Sequence, residues 1–129
     1  MELAEQVAHT DVSGAALRAF FRLAEKWKLT ADQERILLGS PGRSTYFRWK
    51  KDLAGALQKD TLERISYLLG IYKALHILFP RAEQADGWVR RPNTSPLFGG
   101  RSALDRMLHG RVSDLFVVRQ HLDAQRGWA

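Results

Sequence analysis

The 129-residue sequence predicts an all-α fold. Three observations carry that reading. Apolar residues recur at helical spacing in several segments, helix-capping signals precede those segments, and no Val/Ile/Thr-rich alternation of strand length occurs. The predicted arrangement is a helix-turn-helix N-terminal half and a small helical C-terminal domain, joined by a long central helix.

The elements follow in order. Ala16 to Lys28 sets Leu17, Phe20, Phe21, Ala24 and Trp27 at helical spacing. Thr30-Ala31-Asp32-Gln33 is a capping box, and Asp32 and Glu34 suit the positive end of a helix dipole. Ile36, Leu37 and Leu38 are the apolar part of this second helix, and Gly39 is its stop. A third helix spans about Arg43 to Leu53, with Ser40-Pro41 or Ser44 as candidate caps. Asp60 is the expected cap of a fourth helix that runs through Phe79 to Pro80. Its apolar residues cover more than one stripe, which predicts a central helix contacted from several sides, or one in a subunit interface. A loop then reads RAEQADGWVRRPNTSPLFGG. Ser102 with Asp105 marks a short helix stopped at Gly110. A last helix starts at Arg111 or Ser113, turns Leu115, Val118 and Leu122 inward, and ends near Gln125.

The stretch GRSTYFRWKKD, Gly42 to Asp52, is the most informative one in the first half. At 100° per residue Tyr46, Trp49 and Leu53 gather on one side. Arg43, Ser44, Phe47, Arg48 and Lys51 lie on or around the opposite side, and Lys50 flanks them. Two helices joined by a short Gly-containing turn, the second basic outward, have the form of a helix-turn-helix. Arg43, Ser44 and Thr45 occupy the helix start, where base edges are reached, and Arg48 and Lys51 suit phosphates. The competing readings are a solvated charged face, and a protein contact centred on Phe47.

Charge placement supports the first reading. The net charge is +6, and the segment from Gly42 to Asp60 is the compact basic block, with five Lys/Arg against two Asp. The chain has no cysteine, which excludes a disulfide framework and thiolate chemistry and fits a reducing cytoplasm. The N-terminus is unlike a signal peptide, and no apolar run is long enough to span a membrane. His9, His76, His109 and His121 lack metal-ligand spacing. Neither a nucleophile elbow nor a phosphate loop with its lysine occurs, so the expectation is a non-enzyme without cofactor or metal.

In the second half, Gly99-Gly100 permits a turn that other residues resist, either as a tight start to the following helix or as a phosphate cradle. Trp88 and Phe98 read as anchors of that loop. Trp88-Val89, Pro92-Asn93, Leu97-Phe98-Gly99-Gly100, Leu104-Asp105, Met107, Gly110, Val118-Arg119, Leu122-Asp123-Ala124 and Arg126-Gly127-Trp128 together resemble the C-terminal domain of the MbcA/ParS/Xre antitoxins. Upstream, Arg64-Ile65, Leu68-Leu69-Gly70-Ile71-Tyr72 and Ala74-Leu75 extend the resemblance into an Xre-like helix-turn-helix half.

That resemblance implies a domain division at 1–59 and 60–129 and a function as the antitoxin of a type II toxin-antitoxin system. It implies a RES-domain toxin as partner, NAD-degrading or ADP-ribosylating, whose NAD pocket the antitoxin blocks. It also implies repression of the operon through operator DNA. The implied toxin-binding residues are Arg119, Asp123, Arg126, Gly127 and Trp128. Trp and Arg are common interface anchors, which agrees. A homodimer is expected for reading a palindrome. The rival reading is a stand-alone helix-turn-helix regulator whose second half dimerises or senses a ligand.

Overall fold

A computed structural model describes the backbone of residues 2–127 and the side chains of residues 12–127. The described residues form seven α-helices and two short 3-10 turns, and they contain no strand. The helices are α1 (Glu2–Lys26), α2 (Ala31–Leu37), α3 (Arg43–Asp52), α4 (Lys59–Leu78), α5 (Ala82–Gly87), α6 (Ala103–Met107) and α7 (Val112–Gln125). The 3-10 turns are Trp88–Arg90 and Pro96–Phe98. The fold is all-α, as the periodicity predicts.

Helix α4 is the axis. It packs against α7, α1 and α5, so most of its apolar residues meet neighbours within one chain, while Ile77 stays exposed. Ile65, Leu68, Ile71, Ala74 and Leu75 are fully buried there. From α1 come Leu17, Phe20 and Ala24, from the turn after it Trp27, and from α7 Leu115, Val118 and Leu122. Each fully buried Leu, Ile or Phe contributes about 1.5–3 kcal/mol of transfer free energy.

Polar ties close the ends. The Arg90 guanidinium donates to the Trp27 carbonyl at 2.7 Å and to the Lys28 carbonyl, satisfying two carbonyls of the turn that follows α1. Ser13, fully buried, accepts from the Leu57 amide at 3.2 Å and holds the α3–α4 connection against α1. Asp114, also fully buried, takes Arg106 at 2.9 Å and Arg111 at 3.4 Å. Burial alone would raise its pKa, but the hydrogen bonds from Arg106 and from the Arg111 backbone and side chain win and hold the carboxyl below its ordinary value.

Four local expectations need correction. Helix α1 begins at Glu2 rather than near Ala16, and no proline stands in the preceding residues to stop it. Neither Ser40 nor Ser44 caps α3. Gly42 is the N-cap and makes no side-chain bond, Ser40 at φ 56° belongs to the end of α2, and Ser44 already lies in the first turn. Asp60 does not cap α4 either. Gln58 holds that position, and the Asp60 carboxylate is taken by Arg64 at 2.9 Å one turn on. The segment after Pro80 is not all loop, since Ala82, Glu83, Gln84 and Ala85 are helix formers and build α5.

The capping boxes at Thr30/Gln33 and Ser102/Asp105 are present as predicted. The stretch 91–102 closes on itself through a bridge between Pro92 and Ser102. Gly99 and Gly100, at φ 56° and 81°, make its turn. Phe98 plugs it, edge-on to Trp88 with ring centroids 6.1 Å apart.

Candidate functional site

The first candidate surface is α3. Tyr46 and Trp49 are buried beneath it, while Arg43, Ser44, Phe47, Arg48 and Lys51 are exposed. The sequence-predicted sorting into an aromatic face and a basic face therefore holds in space. Thr45 is half-buried and lines, with Arg48, Gly39 and Gly42, a cavity of about 410 Å³ beside the α2–α3 turn. Arg43 lies 4.0 Å from Asp32, both largely exposed, an ion pair of little energetic weight.

What fixes α3 against α2 is a polar lock that sequence reasoning missed. The Glu34 carboxylate is 5% exposed. Its Oε1 accepts from the Tyr46 hydroxyl and from Lys50 Nζ at 2.9 Å. Burial, and then the bond to Glu34, pushes the Tyr46 hydroxyl above its ordinary pKa, and the same carboxylate raises Lys50. Lys50 also lies over the Phe21 ring at 5.7 Å, which joins α1 to the lock. Glu34 reads in sequence as a dipole acid. The available signal was the i,i+4 pair Tyr46/Lys50, whose shared direction only becomes meaningful once α2 is placed beside it.

The second candidate surface is the end of α7. Arg119 Nε donates to Asp123 Oδ2 at 3.1 Å, and Arg126 Nη1 lies 3.8 Å from Asp123 Oδ1. Arg119, Asp123 and Arg126 thus form one charged group with a single excess positive charge. Arg126, in sequence a terminal charge with every reason to be solvated, has a side chain only 10% exposed. The Arg119 guanidinium lies against Gly70 of α4. A Cβ at Gly70 would meet Arg119 Nη1 at 1.7 Å, so α4 has a bare patch of backbone where the arginine rests. Gly127 is exposed at φ 86°. Trp128 lies outside the described residues.

Two residues before Asp123, His121 stacks on Trp88 and meets Phe98 edge-on, with ring centroids 6.3 and 5.4 Å away. Burial lowers its pKa and keeps it neutral at pH 7. The 88–98 segment is thereby pinned to α7 beside the charged group. Sequence reasoning took Trp88 and Phe98 as anchors but did not find what they anchor to.

Elsewhere, His76 Nε2 is bonded to Asp86 at 2.8 Å and ties α4 to α5, in line with a structural histidine. Among the described residues no cluster of three or more His, Cys, Asp or Glu is placed to hold a metal ion. Among the described residues no helix is long and apolar enough to cross a membrane.

Two family comparisons bear on these surfaces. Residues 6–70 match the antitoxin Xre-like helix-turn-helix domain, and residues 74–127 match the antitoxin Xre/MbcA/ParS C-terminal toxin-binding domain. The chain belongs to the Xre/MbcA/ParS antitoxin family. The two matched ranges meet inside α4, so in this antitoxin the central helix is shared between them. The antitoxin is also 60% identical over 113 residues to the uncharacterized protein y4oB of Sinorhizobium fredii (strain NBRC 101917 / NGR234), covering 88% of this chain and 85% of that protein. A helix-turn-helix domain and a toxin-binding domain together describe an antitoxin with a toxin as its partner.

Proposed function

We propose that this antitoxin neutralises a RES-domain toxin by presenting the end of α7 to the toxin's NAD pocket, and represses its own operon through α3. The observation that carries the first part is the Arg119–Asp123–Arg126 group, held on α7 within the toxin-binding domain. A pre-set guanidinium pair presents fixed N–H donors that match carboxylates lining a pocket of a partner protein. Gly127, exposed just past the helix, and Trp128 are assigned to the same contact by the family resemblance. The second part rests on the exposed Arg43, Ser44, Arg48 and Lys51, with Thr45 beside them, on a helix locked to its partner by Glu34. The antitoxin acts in the cytoplasm as a homodimer on DNA, and it is not itself an enzyme.

The deciding experiment is co-expression with the neighbouring open reading frame, scoring growth and cellular NAD. The neighbour is expected to be toxic alone and to be rescued by this chain. Deleting Arg126 to Ala129 should abolish rescue while sparing DNA binding. A toxic neighbour that the intact chain binds but the deletion still silences would remove the α7 assignment. A harmless neighbour, with operator binding intact, would favour a stand-alone regulator.

A further inference from the structure

A cationic groove lies outside both surfaces. It has a volume of about 460 Å³ and is lined by residues that include Arg101, Asp105, Arg106, His109 and Arg111. Asp105 is the acid on its rim, and its carboxylate accepts from the Ser102 amide at the start of α6. Asp114 lies buried below, and its charge is shared by Arg106 and Arg111. Arg111 is nevertheless 72% exposed, and Arg101 is exposed with no ion-pair partner among the described residues. The rim therefore keeps an excess of positive charge turned to solvent.

Its position says what it faces. Arg64 Nη1 donates to the Gly110 carbonyl at 2.8 Å, and a Cβ at Gly39 would sit 3.1 Å from Arg64 Nε. A Cβ at Gly110 would meet Ile36 of α2 at 3.7 Å. Arg64 thus bonds the α6–α7 turn and packs against Gly39 at the end of α2, so His109 and Arg111 stand near the turn that leads into α3. The toxin-facing end of α7 is far from them. Val112 to Gln125 spans fourteen residues, about 20 Å of helix.

A helix seated in a major groove about 12 Å wide has a phosphate backbone along each flank. We propose that Arg101 and Arg111, with His109 beside them, contact DNA phosphates flanking the site occupied by α3, so that the C-terminal domain is part of the DNA interface. This rests on the reading of α3 as a DNA-binding helix. It adds affinity without sequence preference, because phosphates carry none.

The test uses the full chain and two duplexes of equal length, one from the DNA upstream of its own gene and one of unrelated sequence. Fluorescence anisotropy is followed from 50 to 200 mM salt for wild type, Arg48→Ala and Arg101→Gln/Arg111→Gln, with thermal melting as the folding control. Arg106 still pairs with Asp114 in the double variant, so the fold is expected to survive. Losing two phosphate contacts should flatten the salt slope by about 1.8, so that the wild-type advantage shrinks about tenfold across that range. The loss should be equal on both duplexes. A double variant that binds like wild type while Arg48→Ala is weakened overturns the proposal and leaves the α3 reading standing. A double variant that loses toxin but not DNA also overturns it and gives the groove to the protein partner. If wild type binds neither duplex, the α3 reading fails and the proposal fails with it.

Discussion

Gly70 shows how one missing side chain can organise a surface. It sits inside α4, where glycine costs about 0.5–1 kcal/mol relative to alanine. The gain is the seat it leaves for the Arg119 guanidinium. Gly70→Ala should therefore separate two properties. Stability should stay level or rise by up to about 1 kcal/mol, since the displaced group is the far end of a flexible chain. Toxin affinity should fall at least tenfold, because Arg119 leaves Asp123. Urea unfolding and calorimetric titration with the toxin measure the two. An unchanged affinity would detach Arg119 from the contact. Asp114 has the opposite character, a fully buried carboxylate whose charge is wanted. Its folded pKa is depressed, so its contribution is present above the ordinary value of 3.8 and is lost as pH falls through the folded value. The stability of the wild type should drop progressively below about pH 4. Asp114→Asn should remove part of that pH dependence and cost about 1–3 kcal/mol at pH 7, as Arg106 and Arg111 lose their charged acceptor.

Helices α2 and α3 depend on one another. Helix α2 has seven residues, too few to persist alone. It is held by the Thr30/Gln33 box at its start, by Leu37 and Leu38 in the core, and by Glu34 reaching Tyr46 and Lys50. Thr30→Ala should cost about 1 kcal/mol. Glu34→Gln keeps the shape but removes the charge from two hydrogen bonds, and should cost about 1–3 kcal/mol in urea unfolding. It should also weaken operator binding through loosened α3, although Glu34 itself, at 5% exposure, cannot reach DNA. If DNA binding were indifferent to Glu34→Gln, the lock would matter to stability alone. Replacing Arg48 or Lys51 with Ala should act on DNA directly, each flattening the salt slope by about 0.9.

At the scale of the whole molecule, α4 is shared by both matched ranges and buried by α1 and α7 alike. Arg64 and Arg90 cross between the halves as well. The antitoxin should unfold in a single transition, with near- and far-ultraviolet circular dichroism coinciding. Two transitions would mean that the halves are independent. Much of this architecture was legible in the residues. The apolar spacing of Leu17, Phe20, Ala24 and Trp27, the two capping boxes and the sorted faces of α3 are local properties, fixed within a few turns of chain by helix geometry and hydrogen-bonding chemistry. The family, too, was readable from the strings around Phe98-Gly99-Gly100 and Arg126-Gly127-Trp128. Other features depend on residues far apart in sequence. Glu34 became a lock when Tyr46 and Lys50 arrived from the next helix, and Gly70 became a seat when Arg119 crossed it from α7. Arg111 came beside the α2–α3 turn through Arg64. Sequence periodicity tells which face of a helix is apolar, but a polar group's partner is set by how helices pack, and that was decided only when α4 gathered the others around it.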